Sequence, residues 1–327
     1  MSSLQTTYLG LTLKNPVIVS SCKLTSTVKS ILECEKAGAG AVVLKSLFEE
    51  QIMADKEKVM DDVNYLSHAE AFDYTSMMAQ EYFLDDYVTM VEEAKGKAAI
   101  PIIASLNCVS AGKWIDYAKM LQDAGADALE INVFIIPANV HVTGAELEKT
   151  YLNIAEKIKK TVTIPVSMKI GCHFSGLARM IRDISDAGID GIVLFNRFYR
   201  PDVDIEAMTL KPASMLSEPG EIALSLQWIA LLSGELDIDF SATTGVHSAE
   251  GVIKQLLVGA KSVQVCSTLY KNGIDSLGSI ISGLENWMSS KNFASISDFN
   301  GMLCQEKSDN PAAYERSQFV KAIVGIS

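Results

Sequence analysis

The sequence predicts a (β/α)8 barrel, on three observations. A phrase recurs four times, as "KAGAGAVVLKS" (36–46), "DAGADALEINV" (123–133), "DAGIDGIVLFN" (186–196) and "LVGAKSVQVCS" (257–267). Each reads as a helix C-terminus closed by a Gly, where the left-handed conformation costs little, followed by a short apolar strand. Four further apolar runs stand apart from these, "NPVIVSS" (15–21), "IPIIASLN" (100–107), "IPVSMKI" (164–170) and "IDFSATT" (238–244). Strands that are apolar along their whole length are buried on both faces, as in a parallel sheet. Eight of them in 327 residues fit a closed barrel better than a doubly wound sheet.

The intervening segments support the alternation. "WIDYAKMLQDAG" and "LARMIRDISDAG" space their apolar residues as a helix does. Ser248 is a suitable N-cap for a helix beginning near Ala249. Two connections, 47–99 and 197–237, exceed simple loops and follow strand C-termini, so both are expected as lids over the barrel mouth. No linker or low-complexity stretch divides the chain, and residues 1–327 read as one domain.

Composition narrows the function. The chain is 48% hydrophobic and carries a net charge of −12, which argues against nucleic acid, since phosphate backbones need a basic footprint. No apolar run approaches the roughly 18 residues of a membrane span, and "MSSLQTTYLG" has no basic stretch followed by an apolar one. The six cysteines contain no Cys-x-x-Cys pair and read as reduced thiols of a cytoplasmic protein. The four histidines lack metal-ligand spacing, so no metal is expected.

A barrel builds its site at the C-terminal ends of its strands. Here those ends are Ser20–Ser21, Lys45–Ser46, Asn107, Asn132, Lys169, Asn196, Thr244–Gly245 and Cys266–Ser267. A strand-end Asn or Ser also caps turns, which is the competing reading for Asn107. Lys45 and Lys169 each leave an apolar strand with no acid nearby in sequence; the competing reading is a lysine that snorkels to the surface. Two converging cations suit an anion or an electron-rich ring. The loops after strands seven and eight, with Gly245, Val246, Cys266 and Ser267, stand where barrels bind phosphate. A phosphate handle, amides and two lysines suit a phosphorylated cofactor, and FMN fits.

Over nearly the whole chain the sequence resembles the dihydroorotate dehydrogenase family, nearer its soluble class 1 branch. The resemblance rests on the order and spacing of "LKNPVIVSS" (13–21), "LKS" (44–46), "EIN" (130–132), "MKI" (168–170), "LFN" (194–196), "GVHSAEGVIKQLLVGAKSVQVCSTLYKNG" (245–273) and "FASISDFNG" (293–301). It implies an FMN oxidoreductase of pyrimidine biosynthesis acting on dihydroorotate or a related dihydro or unsaturated cyclic substrate. Ser20 and Ser21 would back the flavin, with Lys45 and Ser46 at the junction of flavin and substrate. Lys169 would face N1 and O2 of the ring. Asn132 and Asn196 would bind flavin or substrate, Asn107 joins the cofactor-binding set, and Gly245, Val246, Cys266 and Ser267 would hold the phosphate.

The chain departs from that pattern in one stretch. After the "EIN" strand end, class 1 enzymes continue with Ser, the Cys base and Pro-Asn; here the chain reads "VFIIPAN", and Ile135 stands in place of the Cys. An alkyl side chain cannot accept a proton. Phe134, Ile135 and Ile136 are expected instead as a dry wall over the flavin face. The family's Asn-Ser-Met-Gly-Leu substrate loop is replaced by "NYLSHAEAFDY" (64–74), whose His68, with Glu70, Asp73 and Tyr74 nearby, is the candidate base alongside Lys45 at the junction; His141 is a weaker candidate. Two other readings stand beside the oxidoreductase: a flavin- or partner-binding barrel without catalysis, and a phosphate-sugar lyase or isomerase on the same fold. A homodimer is expected. The electron acceptor (fumarate, NAD or a protein) is not named by the sequence, which holds no cysteine cluster for an iron–sulfur relay.

Overall fold

The computed structural model describes residues 3–48, 85–107, 114–197, 201–212, 214–309, 311, 314 and 315. An N-terminal hairpin, β1 (Thr6–Tyr8) and β2 (Leu11–Leu13), precedes the barrel. Eight parallel strands follow: β3 (Val17–Val19), β4 (Ala41–Val43), β6 (Ile102–Asn107), β7 (Ala128–Asn132), β8 (Val166–Ile170), β9 (Gly191–Leu194), β12 (Asp239–Ala242) and β13 (Ser262–Val265). They pair in chain order, and β13 returns to β3 to close the ring. The short β5 (Leu47–Phe48) runs beyond β4 and pairs with the end of β6, and β10 (Pro201–Asp204) and β11 (Thr209–Pro212) form an outer hairpin. All eight predicted barrel strands are present.

The helices are α1 (Val28–Lys36), α2 (85–97), α3 (Trp114–Asp123), α4 (Gly144–Thr161), α5 (Leu177–Asp186), α6 (Ile222–Leu232), α7 (Ala249–Leu257), α8 (Ser267–Asn272) and α9 (Ser276–Ser290). On α5 the buried residues Leu177, Met180, Ile181 and Ile184 follow the helical repeat, each burial contributing about 1.5–3 kcal/mol. Ser248 caps α7, its Oγ accepting the Gly251 N–H at 3.4 Å. No helix among the described residues is long and apolar enough to cross a membrane.

The repeated phrase has a structural meaning. Its glycines, Gly38, Gly125, Gly188 and Gly259, all have positive φ at the turn from helix to strand. In two copies an Asp follows two residues after the Gly and ties three elements together. Asp127 accepts the Ile102 N–H of β6 at 2.7 Å and pairs with Lys95 of α2 at 2.7 Å. Asp190 does the same with the Val166 N–H of β8 at 2.8 Å and Lys159 of α4 at 2.7 Å. Both carboxylates satisfy a strand's first donor, a contact worth more than the exposed ion pair beside it.

The β1–β2 hairpin shuts the N-terminal end of the barrel. Tyr8 and Leu13 are fully buried against Ile18, Val43, Ile103 and Ala128, and the Leu9 N–H donates to Asp239 Oδ2 at 2.7 Å. Gly191 is small because Leu9 lies on it; a Cβ there would stand 2.5 Å from Leu9 Cδ2.

Parts of the two long connections belong to the barrel itself. Tyr87, Val91 and Ala94 of α2 are buried in the main core, so the later part of 47–99 is an ordinary barrel helix; residues 49–84 lie outside the described residues. Likewise α6, at the end of 197–237, buries Ile229 and Leu232. The segment 214–221 overhangs the mouth, with Ser214, Met215, Ser217, Gly220 and Glu221 in cavity walls.

Candidate functional site

A buried polar chain runs through the barrel beneath its mouth. Glu130 points inward from β7 and is 1% exposed; its Oε2 accepts from Gln264 Nε2 at 2.5 Å, and Gln264 Oε1 accepts from Ser20 Oγ at 3.0 Å. Lys169, 8% exposed at the end of β8, donates to Ser20 Oγ at 3.4 Å and stands 3.8 Å from Glu130 Oε1. That oxygen has no hydrogen-bond partner, so the ammonium is its nearest compensation. One acid and one base buried together leave the barrel interior neutral and aim a cation up at the mouth. Burial, reinforced by the Glu130 carboxylate, pushes the Tyr8 phenol well above its usual value, so it stays protonated below this chain.

Amides and hydroxyls frame that cation. Asn132 and Asn196, from β7 and the end of β9, meet across the end of β8: Asn196 Nδ2 donates to Asn132 Oδ1 at 2.8 Å. Ser21 accepts the Ser46 N–H at 2.9 Å, and the Ser46 hydroxyl lies 2.8 Å from that of Ser105.

At the other side of the mouth, donors crowd around Ser217. Gly245 N–H donates to Ser217 Oγ at 3.3 Å, and Ser217 N–H donates to Ser267 Oγ at 2.9 Å. The Ser217 hydroxyl is 3.1 Å from His247 Nε2, and Lys271 Nζ donates to its carbonyl at 3.0 Å. Burial, and then the Lys271 charge, push the His247 ring below its usual value, leaving it neutral at physiological pH. Arg197 pins the overlying segment: its guanidinium donates to both oxygens of Glu221, at 2.9 and 3.3 Å, and to the carbonyls of Ser214 and Met215. Thr244 holds φ +73°, rare for a β-branched residue; such strain concentrates at functional sites.

Two cavities share this mouth. The smaller, about 220 Å³, has Ser20, Ser21, Lys169, Asn196, Gly245, Val246, Cys266 and Ser267 in its wall. The larger, about 580 Å³, adjoins it through Phe195, Asn196, Arg197, Thr243 and Thr244, and is walled by Ile136, Cys172, His173 and Leu224. Thus eight expected cofactor residues converge on one space, Asn132 through Asn196. Ser46 joins through the Ser21 hydroxyl, 3.0 Å away. Lys45 and Asn107, on the β4 and β6 side, line neither cavity; residues 49–84 and 108–113 next to them, with His68, Glu70, Asp73 and Tyr74, lie outside the described residues.

The apolar stretch after Asn132 differs from the expected wall. Phe134 packs edge-on to His173, ring centroids 6.1 Å apart, and over Gly171. Ile135 turns back to the core, its N–H donating to the Tyr151 hydroxyl at 3.1 Å. Ile136 alone of the three lines a cavity. The three residues therefore do not line one cavity together. His141 is exposed and lines neither cavity.

Sequence reasoning missed Cys172, His173, Arg197 and Ser217. Three of them follow a strand-end residue by one to four positions, so reading onward from Lys169 and Asn196 would have found them. Ser217 carries no such signal, because only the fold of 214–221 brings it to Gly245.

Comparison with known proteins agrees with this geometry. The family model described as "Dihydroorotate dehydrogenase" matches residues 3–288. The catalytic subunit of dihydroorotate dehydrogenase B (NAD(+)) from Thermoplasma acidophilum is 24% identical over 311 residues, covering 92% of this chain and 99% of that protein. Its counterpart from Methanocaldococcus jannaschii is 24% identical over 294 residues, 88% and 94% of the two chains. A match that runs from the plugging hairpin through the loops around Gly245 and Cys266 and on into α9 leaves one conclusion: the chain belongs to the dihydroorotate dehydrogenase family.

Proposed function

We propose that this chain is an FMN-dependent oxidoreductase that moves a hydride between flavin and a dihydro or unsaturated cyclic substrate other than dihydroorotate itself. The observation that carries the reading is Lys169, a buried cation at a strand end, flanked by the Asn132–Asn196 pair and opening on a cavity with a donor cluster at its far side. These residues fit the cofactor. Bound FMN would supply the hydride chemistry. Lys169 would offset the negative charge of a reduced ring. Asn132 and Asn196 offer amide donors and acceptors to orient ring or substrate, and Ser20 and Ser21 back it. The Gly245 backbone and the Ser217 and Ser267 hydroxyls, all in the wall of the smaller cavity, would hold a phosphate. Ile136 and Phe195 keep the larger cavity partly apolar and exclude water.

Proton transfer needs a group other than Ile135. His173 stands two residues beyond Gly171 on the wall of the larger cavity, within the same space as Asn196. An imidazole is the side chain best suited to give or take a proton near neutrality. His173→Gln is expected to slow reoxidation of the reduced flavin by a carbonyl-conjugated alkene such as cyclohexenone by about 10²–10⁴-fold, while Cys172→Ser retains most of the rate; rapid-mixing absorbance checks both. The cofactor assignment has a simpler test. The purified protein, supplied with FMN, should show bound flavin absorbance and release FMN on denaturation. A protein that stays colourless under saturating FMN would overturn the reading in favour of a flavin-free lyase or isomerase.

A further inference from the structure

Two charged side chains at the mouth cancel each other. Arg197, just beyond β9, and Glu221, at the end of the overhanging segment, stand together in the wall of the larger cavity. The guanidinium presents two edges, and both are taken. Along one, Nε and Nη2 donate to the two carboxylate oxygens of Glu221, at 2.9 and 3.3 Å. Along the other, Nη1 donates to the Met215 carbonyl at 3.1 Å and Nη2 to the Ser214 carbonyl at 3.0 Å. A ligand carboxylate is held best by a free fork of two parallel N–H groups, and this arginine has none to offer.

The rest of that wall is apolar or neutral. Arg197 and Glu221 are its only Arg, Lys, Asp or Glu among the described residues. The nearby Lys169 belongs to the smaller cavity and stands 3.8 Å from Glu130. Ile136 and Leu224 line the larger cavity while 45% and 41% exposed, and Phe195 and Ala223 extend the apolar lining. Asn196 and His173 are hydrogen-bonding side chains of the same wall. Apolar surface left open in a cavity of about 580 Å³ is covered favourably by an apolar body. A charge brought there loses hydration without gaining a partner.

We infer that the larger cavity selects an uncharged substrate, a cyclic carbonyl compound whose ring carries no carboxylate, and that the Arg197–Glu221 pair determines this specificity. An anion entering here meets the Glu221 carboxylate. It can take Arg197 only by displacing Glu221 and the two carbonyls that seat segment 214–221. A neutral ring covers Ile136 and Leu224 and leaves the pair intact. The inference rests on the flavin reading above in calling the occupant a substrate, whereas the selection itself is a property of the wall and operates with or without flavin.

The test is isothermal titration of the full-length protein, with and without FMN, at pH 8, where an ordinary imidazole is uncharged. The probes are 3-oxocyclohex-1-ene-1-carboxamide and the corresponding carboxylate, which share a shape and differ in charge. The amide is expected to bind at least about tenfold more tightly, because the carboxylate faces a like charge. Glu221→Gln keeps the side chain's length and an accepting oxygen but removes that charge, so the ratio should fall to about one or below. Leu224→Lys adds a cation at an exposed position of the same wall, away from the pair, and should strengthen binding of the carboxylate alone. The inference is overturned if the natural protein binds the carboxylate as tightly as the amide, or if neither probe binds at millimolar concentration. It is also overturned if a folded Glu221→Gln keeps the natural ratio, or if Leu224→Lys leaves carboxylate binding unchanged. Should Glu221→Gln fail to fold, the natural protein and Leu224→Lys decide the matter. A preference for the amide in protein that takes up no FMN supports the selection and counts only against the flavin.

Discussion

Lys169→Met is expected to lower the two-electron potential of the bound flavin by roughly 30–60 mV, because a charge-assisted contact worth about 1.5–3 kcal/mol is lost from the reduced form only. The sign follows from charge: the ammonium stabilises an anionic reduced ring and does little for the neutral oxidised one, so removing it makes reduction harder. The substitution also strands a partner. Glu130 is 1% exposed, its Oε1 has no hydrogen bond, and Lys169 at 3.8 Å is the cation beside it. Breaking a buried pair from one side costs about 3–5 kcal/mol, so the single variant should also melt lower. Lys169→Met combined with Glu130→Gln separates the two effects. The double variant should regain most of the lost melting temperature while its flavin potential stays low. A potential unchanged in both variants would remove Lys169 from the flavin site.

Gly245→Val is expected to destabilise the fold by about 4 kcal/mol or more, beyond the range of ordinary substitutions. Gly245 has φ +77°, a conformation that costs an L-residue about 1–2 kcal/mol. The greater penalty is steric: a Cβ there would stand 2.2 Å from Ile222 N and 2.7 Å from Glu221 C, both backbone atoms. The sequence alone suggests that a side chain would crowd a phosphate and leave a folded, colourless protein. The structure instead has the start of α6 resting on this glycine, so the variant should lose the seating of 214–221, and with it Ser217, before any ligand is considered. Thermal unfolding and proteolysis near residues 214–221 check this; a variant with the natural melting temperature would contradict the packing account.

What the sequence made legible was what one strand or one helix determines locally. Four apolar runs preceded by Gly caps and four further apolar runs announced the eight barrel strands, and the polar residue ending each strand announced the mouth, because in a parallel barrel every strand delivers its last side chain to the same end. The β1–β2 hairpin was not legible, since three-residue strands are too short for alternation to show. Nor was the role of Ser217, which reaches Gly245 only because Arg197 and Lys271 fold 214–221 inward. Glu130 reads as one more strand residue in "ALEIN", and its pairing with Lys169 depends on β7 and β8 being neighbours. Ile135 was legible as the residue standing where the family pattern has its Cys; the hydrogen bond from its N–H to Tyr151 on α4, sixteen residues away, was not.

Ile135 also locates the most direct measurement of the account. Its side chain packs against the core and carries no group that accepts a proton, which is why we propose a cofactor cradle without the usual dihydroorotate chemistry. The measurement is anaerobic mixing of the FMN-loaded protein with dihydroorotate, followed by the bleaching of the oxidised flavin band. Loss of a general base typically costs about 10²–10⁴-fold, so the account predicts full flavin loading with at most trace reduction. Bleaching at about 1–10³ per second, the range of ordinary turnover, would contradict it and would make dihydroorotate the substrate of this mouth.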